Sequence, residues 1–466
     1  MKTKPNSDTS HVDDNDATAS PKNNIKTILE EHRISRRKFL QGTAAATAAL
    51  SIGPFFLRET SAAMADEWKI GTIFPLTGGM AYGGNEGMTG CDVALAMVNE
   101  QGGVNTLSGK KKIVFARANA PDQTAATSEM NRLIANEGVK LVTGSFSSAI
   151  AYTASAVSER NKVLFWEGNA VVTDLTRRGF QYLFRCDVSA MGTGGNASIF
   201  TAEYVAPRIN KDPKDMKVGV VWEDGTYGTS VHEGIVHYAK ERGMQIVADE
   251  AYSAKSTDLS PVVLKLKAAK PDAILVAAIG ADAIVLTKQL RDLDVNVSAI
   301  VGTSGGFGVP GFAQNMGKAS NGLFSSDFPC DVNPQALSPK ALAFRKEFIS
   351  RYAALKNGGF PSGNAWLSFS ATMLLFDEVL PLVKNLDPDE IKAAALSLDL
   401  PEGSMANGCG VKFIPHNLEN GGHNERSFSV LLQWLDGRVH VVWPDKYANR
   451  PPEYVPLPTW AERERG

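Results

Sequence analysis

Serine residues stand directly before a predicted helix in the segment Gly144-Ser145-Phe146-Ser147-Ser148. The first N–H groups of a helix have no partner within the helix, so they bind either an anion or the hydroxyl oxygen of a capping serine. Ser148 is therefore a candidate to hold the carboxylate of a ligand. Capping of the helix by these serines is the alternative interpretation.

Other turns that lead from a strand into a helix carry further polar or aromatic side chains. In an open α/β sheet, ligands bind at the carboxyl ends of the strands, where these turns lie. Tyr82 stands in a turn, 75–84, whose glycines permit close approach of the backbone to a ligand. Glu167 has the charge to pair with a ligand cation, and simple exposure to solvent is its alternative. The candidate binding residues are Tyr82, Ser148, Glu167, Asn169, Tyr227 and Ser304.

The segment Gly302-Thr303-Ser304-Gly305-Gly306 matches the G-x-S-x-G pattern that exposes a nucleophilic serine in hydrolases. Asp327 and then His416 or His423 follow in the order of a Ser-Asp-His triad. The pattern should lead directly into a helix, but Phe307-Gly308-Val309-Pro310 intervenes. We therefore predict that the chain is not an enzyme and has no catalytic residues, and a serine hydrolase using Ser304 is kept as an alternative.

The spacing of ligand-type residues indicates no metal or cofactor site. No C-x-x-C motif occurs, and His232 and His237 are five residues apart, which keeps them off a common helix face. Gly192-x-Gly194-x-x-Ala197 matches a nucleotide-binding fingerprint, but no acidic residue follows about 20 residues later at the end of a strand. We predict neither a metal nor a cofactor.

Short apolar runs alternate with longer amphipathic stretches, a pattern typical of a parallel, doubly wound α/β sheet. One series begins at residue 68 and a second at residue 217, so we predict two lobes. After about Ser326 the chain supplies both helices and strands, which indicates that it crosses back between the lobes. The predicted strands are Trp68–Phe74, Lys112–Asn119, Lys140–Thr143, Val163–Trp166, Lys217–Trp222, Gln245–Ala251, Asp272–Ala278, Val297–Val301, Val411–Ile414, Ser427–Leu435 and Arg438–Val442. The predicted helices are Glu86–Glu100, Gln123–Asn136, Ser148–Arg160, Thr229–Arg242, Leu259–Ala269, Ala281–Leu293, Pro339–Lys356 and Asn364–Val383.

The overall charge argues against a nucleic-acid partner. The chain has 466 residues, with 48 Lys and Arg against 50 Asp and Glu, which gives a formal net charge of −2. Binding of nucleic acid needs a basic face that neutralises phosphates, and no cluster of positive charge is present in the sequence. The length exceeds one ordinary domain, in agreement with two lobes.

Residues 1–65 are predicted to be an export signal. Arg36-Arg37 precedes a mildly apolar stretch at 42–57, and Ala63-Met64-Ala65 has the small residues of a cleavage site. The paired arginines indicate the twin-arginine (Tat) export machinery as a partner. The predicted location is the periplasm, with cleavage near Ala65. No later apolar run is expected to reach the roughly 18 residues of a membrane span.

The cysteines follow the predicted signal and would enter an oxidising compartment. They are Cys91, Cys186, Cys330 and Cys409. We expect one or two disulfides, and the pairing stays open because four cysteines allow three arrangements.

A set of motifs resembles those of the leucine/isoleucine/valine-binding proteins of ABC importers. The motifs occur in the order of that family and span most of residues 66–440. They are Phe74-Pro75-Leu76-Thr77-Gly78, the Gly-Gly-Val after the first helix, Ser147-Ser148, Asp174-Leu175-Thr176 with Arg178-Gly179-Phe180, and Asp224 with Tyr227-Gly228.

The resemblance implies the fold of a type I periplasmic binding protein, in which two doubly wound parallel-sheet lobes are joined by a three-crossover hinge. It implies a first lobe of 66–188 plus 326–426 and a second lobe of 189–325 plus 427–466. In the same way, Ser148 falls at the family serine that contacts the ligand carboxylate. Tyr227 matches a family tyrosine on the opposite lobe.

Two departures from the family pattern change the expected pocket. The Ser-Pro-Ala-Ala-Thr turn of amino-acid binders is replaced by residues 167–171, which lack the threonine hydroxyl, and the acid that holds the ligand ammonium appears as Ser304. A buried ammonium needs a carboxylate partner. Either Glu167 supplies this carboxylate from the other lobe, or the ligand has no ammonium group.

The function implied by the resemblance is that of a monomeric, periplasmic solute-binding protein that closes around its ligand by a hinge motion and serves an ABC permease in the inner membrane. The expected ligand is a small carboxylate-bearing molecule: a branched-chain or related amino acid, an amide or an aromatic acid. A periplasmic sensor or adaptor of the same fold is the alternative.

Overall fold

The computed structural model of the protein describes residues 67–465. The export signal predicted in residues 1–65 lies outside this range. The described chain forms two α/β lobes, each built around one largely parallel sheet, and this confirms the predicted fold class.

The first lobe is built on a sheet in which β1 lies near the centre. Its strands are β1 (Glu67–Phe74), β2 (Val104–Thr106), β3 (Gly109–Asn119), β4 (Leu141–Gly144), β5 (Leu164–Glu167) and β6 (Leu183–Arg185). Its helices are α1 (Ala81–Glu100), α2 (Gln123–Ala135) and α3 (Ser148–Arg160). The strand order is β2-β3-β1-β4-β5-β6, and only β2 pairs antiparallel with its neighbour. Residues 70–74 are all buried, as expected for a parallel strand that is covered on both faces.

The second lobe is built on a sheet with the order β13-β12-β11-β10-β9-β7-β8, in which β12 pairs antiparallel with both of its neighbours, β11 and β13. Its strands are β7 (Lys217–Glu223), β8 (Gln245–Tyr252), β9 (Ala273–Ala277), β10 (Ala299–Thr303), β11 (Phe324–Asp327), β12 (Val430–Leu435) and β13 (Arg438–Trp443). The remaining helices in chain order are α4 (Ala190–Phe200), α5 (Ala206–Arg208), α6 (Thr226–Glu241), α7 (Ser260–Ala269), α8 (Ala281–Asp292), α9 (Ser304–Phe307), α10 (Pro310–Met316), α11 (Pro339–Leu355), α12 (Gly363–Leu374), α13 (Pro388–Leu396) and α14 (Trp460–Arg465).

The chain passes between the lobes after β6, after β11 and before β12. After β6 it enters α4, which packs against α6 of the second lobe. After β11 it enters α11 and α12, which pack against α1 of the first lobe, and it returns to the second sheet at β12. This path agrees with the prediction that the chain crosses back between the lobes after about Ser326. The lobe boundaries at 188, 326 and 427 remain predictions.

The glycine-rich turn was predicted to extend to residue 84, but α1 already begins at Ala81. Gly83 and Gly84 leave room for neighbouring protein atoms and not for a ligand. A Cβ on Gly84 would lie 2.1 Å from the carbonyl oxygen of Pro75, and one on Gly83 would lie 2.4 Å from the ring of Phe146. The predicted turn was therefore too long, and Tyr82 lies in the first turn of the helix.

Several other differences from the predicted elements concern short or polar strands, and the helices α4 and α13 were also not predicted. β2, β6 and β11 were not predicted, and β11 has the sequence Phe-Ser-Ser-Asp, in which every residue is buried although three are polar. The strand predicted at Val411–Ile414 forms only isolated bridges, at Val411 and at Phe413. Apolar periodicity detects neither situation, because burial here follows from long-range contacts.

One helical stretch contradicts the expectation about membrane-length apolar runs. Gly363–Leu382, which contains α12, is long and apolar enough to span a membrane by length and composition. Most of it is buried within the protein, where Phe369 stacks on Phe348 with 4.1 Å between ring centroids and Trp366 packs edge-on against the same ring. It is a core helix of the first lobe.

The expected disulfides are not formed. All four cysteines fall within the described residues, are buried and are free thiols. Burial is the main cause that raises the pKa of Cys91 to about 12, so this thiol stays protonated at neutral pH. These cysteines act as small core residues.

The contact between α1 and α12 depends on a glycine. A Cβ on Gly90 would lie 2.3 Å from the carbonyl oxygen of Ala365 and 2.8 Å from the backbone nitrogen of Phe369. Since both neighbours are backbone atoms of a buried helix, neither can move away without shifting α12. Gly90 thus sets the distance between the two helices.

We predict that Gly90→Ala lowers the free energy of unfolding by about 1–3 kcal/mol, because overpacking against backbone outweighs the roughly 1 kcal/mol that alanine adds to a helix. Gly311→Ala, in α10, is the matched control, since no atom lies within 4 Å of its added Cβ. Urea unfolding of both variants measures the difference. Equal stability of the Gly90 variant and the parent protein would contradict this account of the contact.

Candidate functional site

A small cavity, here called the inner cavity, lies between residues of both sheets and of the crossing segments. Its volume is about 20 Å³, a space on the order of one water molecule. Its lining residues are Phe146, Ser148, Asn169, Val171, Tyr227, Ile279, Ser304, Gly305, Phe328 and Asn364. Four of the six predicted site residues, namely Ser148, Asn169, Tyr227 and Ser304, are therefore brought together.

The N-terminus of α3 forms one wall of the inner cavity. Ser147 precedes the helix and makes no side-chain capping hydrogen bond, and Ser148 is the buried first residue of the helix. The first backbone N–H groups of α3 are thus left for another acceptor. Both the positive end of the helix dipole and these N–H groups suit an anionic group.

The side-chain oxygen of Asn169 is a hydrogen-bond acceptor to which no described group donates. Its side chain nitrogen donates to Ser368 Oγ and, at 3.4 Å, to the carbonyl oxygen of Asn364. Its Oδ1 is buried and has no hydrogen-bond partner among the described residues. Buried polar atoms are rarely left unsatisfied, so this oxygen indicates where an N–H or O–H group of a ligand would bind.

Tyr227 and Ser304 form the wall on the second lobe. The Tyr227 hydroxyl donates to Thr303 Oγ1 at 2.8 Å, lies 3.3 Å from Ser304 Oγ and accepts from the backbone N–H of Gly305 at 3.3 Å. Burial raises the pKa of Tyr227 to about 12, so the phenol remains neutral and can donate. This wall therefore offers hydroxyl groups and no charge.

Glu167 does not line the inner cavity. Both of its carboxylate oxygens accept from the backbone N–H of Ser145 at 2.7 Å, and Oε1 also accepts from the N–H groups of Asn169 at 2.8 Å and Ala170 at 2.9 Å. Burial is the main cause that raises the pKa of Glu167 to about 7, and these hydrogen bonds act in the opposite direction. Its carboxylate is held by the turn that carries Asn169.

Tyr82 lies on a second and larger space, here called the outer chamber, of about 910 Å³. Its side chain is 48% exposed. The aromatic and charged side chains that line the outer chamber are Tyr82, Glu86, Lys318, Tyr352, Lys356, Phe360, Trp434, Asp436 and Arg438. The structure thus places Tyr82 in the cleft but away from Ser148 and Asn169.

Several residues that line the inner cavity, most of them apolar, were not predicted as site residues from the sequence. Phe146 lies in the serine turn that had been singled out, so its position beside Ser148 could have been predicted. Phe328 and Asn364 arrive through the segment that crosses back after β11, which no local pattern places at the cavity. Val171 and Ile279 complete this lining.

The hydrolase alternative finds no support in the geometry. A short helix, α9, does begin at Ser304, so the argument that no helix follows the serine was wrong. However, His416 Nε2 contacts the carbonyl oxygen of Leu183 at 2.9 Å, and His423 Nδ1 accepts from Arg185 at 3.2 Å. Both histidines are held at β6 of the first lobe, while Ser304 is on the second. Among the described residues, no group of three or more His, Cys, Asp or Glu side chains is arranged to hold a metal.

Comparison with known sequences identifies the family. A sequence profile described as periplasmic binding protein matches residues 67–422. Leu/Ile/Val-binding protein homolog 8 of Brucella abortus is 33% identical over 389 residues, which cover 83% of this chain and 93% of that protein. Homolog 7 of Brucella suis is 32% identical over 381 residues, which cover 82% of this chain and 92% of that protein. This chain belongs to the periplasmic binding protein family.

Solved structures show the same fold. Leucine-binding protein LivK of Thermotoga maritima superimposes with a TM-score of 0.68 at 20% identity, over 80% of this chain and 97% of that chain. The substrate-binding protein LivJ of Streptococcus pneumoniae, solved with isoleucine, gives a TM-score of 0.67 at 24% identity, over 81% of this chain and 100% of that chain. Since the family consists of binding proteins, the prediction that this periplasmic binding protein is not an enzyme is confirmed. The resemblance to leucine/isoleucine/valine-binding proteins is confirmed as well.

Buried charges lie where the chain of this periplasmic binding protein leaves the first lobe. Asp187 follows β6, is buried, and neither of its carboxylate oxygens has a hydrogen-bond partner among the described residues. Burial raises the pKa of Asp187 to about 8, and the backbone N–H of Val188 and then the charge of Arg185 act in the opposite direction. The Arg185 guanidinium is itself buried and donates to the carbonyl oxygens of Val171 and Val172 at 3.3 and 2.8 Å.

We predict that Asp187 makes the protein less stable as the pH rises from 5 to 8. An acid whose pKa is raised on folding keeps its proton in the native state, so unfolding releases that proton and becomes easier as the pH rises. Asp187→Asn should therefore gain about 1–3 kcal/mol in unfolding free energy relative to the parent at pH 8, and less at pH 5.

Urea unfolding at the two pH values measures this difference. Asp174→Asn is the control for removal of a carboxylate, because the Asp174 side chain is 64% exposed. A stability difference for Asp187→Asn that is the same at both pH values would show that this carboxyl group does not titrate as described.

Proposed function

We propose that the protein is the solute-binding component of an ABC importer and captures a small carboxylate-bearing ligand in the inner cavity. Membership of the periplasmic binding protein family supports the class of function. Relatives are named for binding Leu, Ile and Val, and this supports a ligand of the amino-acid type. The proposed ligands are branched-chain or related amino acids, amides or aromatic acids.

The unpartnered Oδ1 of Asn169 is the observation that carries the choice of ligand. Ser148 and the N-terminus of α3 would bind the carboxylate, and Asn169 Oδ1 would accept a hydrogen bond from an N–H group. Ser304 would donate to the ligand from the second lobe, and Tyr227, whose proton is donated to Thr303, would line the site beside it. A ligand with both a carboxylate and an N–H group therefore satisfies the inner cavity best.

Hinge closure is the proposed mechanism. The inner cavity is too small for an amino acid, so the lobes must part for a ligand to enter and must close around it with more space than in this structure. Since Ser148 and Asn169 are on the first lobe and Tyr227 and Ser304 on the second, a ligand that contacts all four favours the closed state. Glu167 would act indirectly, by holding the turn that carries Asn169, and Tyr82 would cover the cleft outside the inner cavity.

The cellular route is part of the same proposal. Arg36-Arg37 and Ala63-Met64-Ala65 support export through the Tat machinery and cleavage near Ala65. The ligand-loaded protein would then act in the periplasm, as a monomer, on an ABC permease in the inner membrane.

We predict that compounds with both a carboxylate and an N–H group raise the midpoint of thermal unfolding. A ligand at 100 times its dissociation constant adds about 2.7 kcal/mol to the unfolding free energy. Leucine and N-acetylglycine should therefore shift the midpoint more than 4-methylpentanoate, which lacks the N–H, and more than acetamide, which lacks the carboxylate. The measurement uses protein freed of bound ligand by unfolding and refolding. Equal shifts with 4-methylpentanoate and leucine would contradict the role given to Asn169.

We predict that two substitutions distinguish the contact to the ligand carboxylate from the contact to the ligand N–H group. Ser148→Ala should weaken the binding of carboxylates with or without an N–H group by about 1–3 kcal/mol, because a buried hydrogen bond to a charged group is lost. Asn169→Ala should weaken only ligands that carry the N–H. Calorimetric titration measures both, with the exposed Ser128→Ala as a matched control. Unchanged affinity in the Ser148 variant would remove this residue from the site.

A further inference from the structure

A pair of buried hydroxyl side chains joins the two lobes beside the inner cavity. Thr173 lies between β5 and β6 of the first lobe, and Ser230 lies on α6 of the second lobe. The backbone N–H of Thr173 donates to Ser230 Oγ at 3.0 Å, and the Ser230 hydroxyl donates to Thr173 Oγ1 at 3.1 Å. Each residue thus donates to the other and accepts from it. These two residues are here called the latch.

Each half of the latch is anchored in the core of its own lobe. Leu175 follows Thr173 by two residues and is completely buried in a core cluster of the first lobe. Val231 follows Ser230 and is completely buried in a core cluster of the second lobe. Because the two partners are fixed to different lobes, the hydrogen bonds between them depend on the distance between the lobes.

The latch lies next to the wall of the inner cavity without forming part of it. Tyr227 lines the cavity and stands three residues before Ser230 on α6, so the two share one face of the helix. On the first lobe, Val171 lines the cavity two residues before Thr173. A movement that draws Tyr227 away from Val171 therefore also draws Ser230 away from Thr173.

The form of the protein in which the latch is made has no room for the ligand proposed above. Its inner cavity has a volume of about 20 Å³, on the order of one water molecule. A ligand of amino-acid size needs the two walls of this cavity to stand further apart. Hydrogen bonds weaken steeply when they are stretched, so that separation breaks the contact between Thr173 and Ser230.

We propose that Thr173 and Ser230 form an autoinhibitory latch, which holds the lobes in a closed form that excludes the ligand. The latch competes with every ligand that needs a larger cavity, because only the unlatched fraction of the protein is competent to bind. The competition rests on the proposed function, which places the ligand in the inner cavity. The contact between the lobes does not depend on it.

Hydrogen exchange of protein freed of bound ligand by unfolding and refolding tests whether the latch holds the lobes together. The backbone N–H groups at the start of α3 form a wall of the inner cavity, so they meet solvent when the lobes part. Ser230→Ala removes both hydrogen bonds of the latch, and peptides that contain Ser147 and Ser148 should then exchange about tenfold faster than in the parent. Thr173→Val keeps the N–H and the shape of the side chain, and it should accelerate this exchange roughly threefold or more.

Calorimetric titration with leucine tests whether the latch opposes the ligand. Ser230→Ala should bind leucine more tightly than the parent, by up to about tenfold, because a larger fraction of the protein is then competent to bind. The double variant Thr173→Val/Ser230→Ala should bind leucine no more tightly than Ser230→Ala, since the second change removes a contact that is already lost.

Ser198→Ala is the matched control. Ser198 is a buried serine of α4 whose hydroxyl donates to the carbonyl oxygen of Ile235 at 2.8 Å, and both residues belong to the second lobe. The substitution removes a buried serine hydrogen bond without altering the contact between the lobes. It should leave both the exchange at the start of α3 and the affinity for leucine as in the parent. Thermal unfolding of each variant verifies that it is folded.

Two outcomes would overturn the proposal. Equal exchange at the start of α3 in Ser230→Ala and the parent would show that the pair does not hold the lobes together. Leucine affinity that is unchanged or weaker in a variant with faster exchange would show that the pair does not oppose the ligand. Failure of leucine to bind any variant would contradict the proposed function and the competition with it, while the exchange result would still decide whether the latch exists.

Discussion

The arrangement of the inner cavity depends on one buried carboxylate. Glu167 accepts backbone hydrogen bonds from Ser145, in the turn before α3, and from Asn169 and Ala170, in the turn after β5. Two turns from neighbouring strands are thereby tied to one side chain. Burial of a carboxylate is costly, and the raised pKa of Glu167 reflects that cost. The N–H donors offset it, and in return Ser148 and Asn169 are held on the same wall.

The parts of the site that follow directly from strand ends could be predicted from the sequence. Ser148 and Asn169 follow strands of the first sheet, and Tyr227 and Ser304 follow strands of the second, so each lies at the carboxyl edge of its sheet. The bounds predicted for α3, Ser148–Arg160, agree with the structure because the helix begins in a serine-rich turn. These residues needed no knowledge of distant contacts.

The direction in which a side chain points could not be predicted in the same way. Glu167 was expected to face a ligand or solvent, and instead it turns inward, because it accepts from the backbone of its own turn and also from Ser145, which is 22 residues away in sequence. Asp327 shows the same limitation at the end of β11. A Cβ on Gly308 would lie 1.9 Å from Asp327 Oδ2, so the buried carboxylate is packed directly against a residue that lines the outer chamber. Long-range packing of this kind leaves no periodic signal in the sequence.

The charged groups around the inner cavity determine whether a neutral or a positively charged nitrogen of the ligand binds at the lower cost. Among the described residues no carboxylate lines this cavity. The buried acids Glu167 and Asp327 already accept hydrogen bonds, Glu167 from the backbone of its turn and Asp327 from Ser325 Oγ and the N–H of Phe328. An ammonium group would require one of these acids to leave its donors and turn toward the ligand. A neutral N–H needs only the free Oδ1 of Asn169, and the α3 N-terminus already balances the carboxylate. Binding of an amino acid therefore carries the cost of rearranging Glu167 or Asp327, a cost that a ligand with a carboxylate and a neutral N–H group avoids.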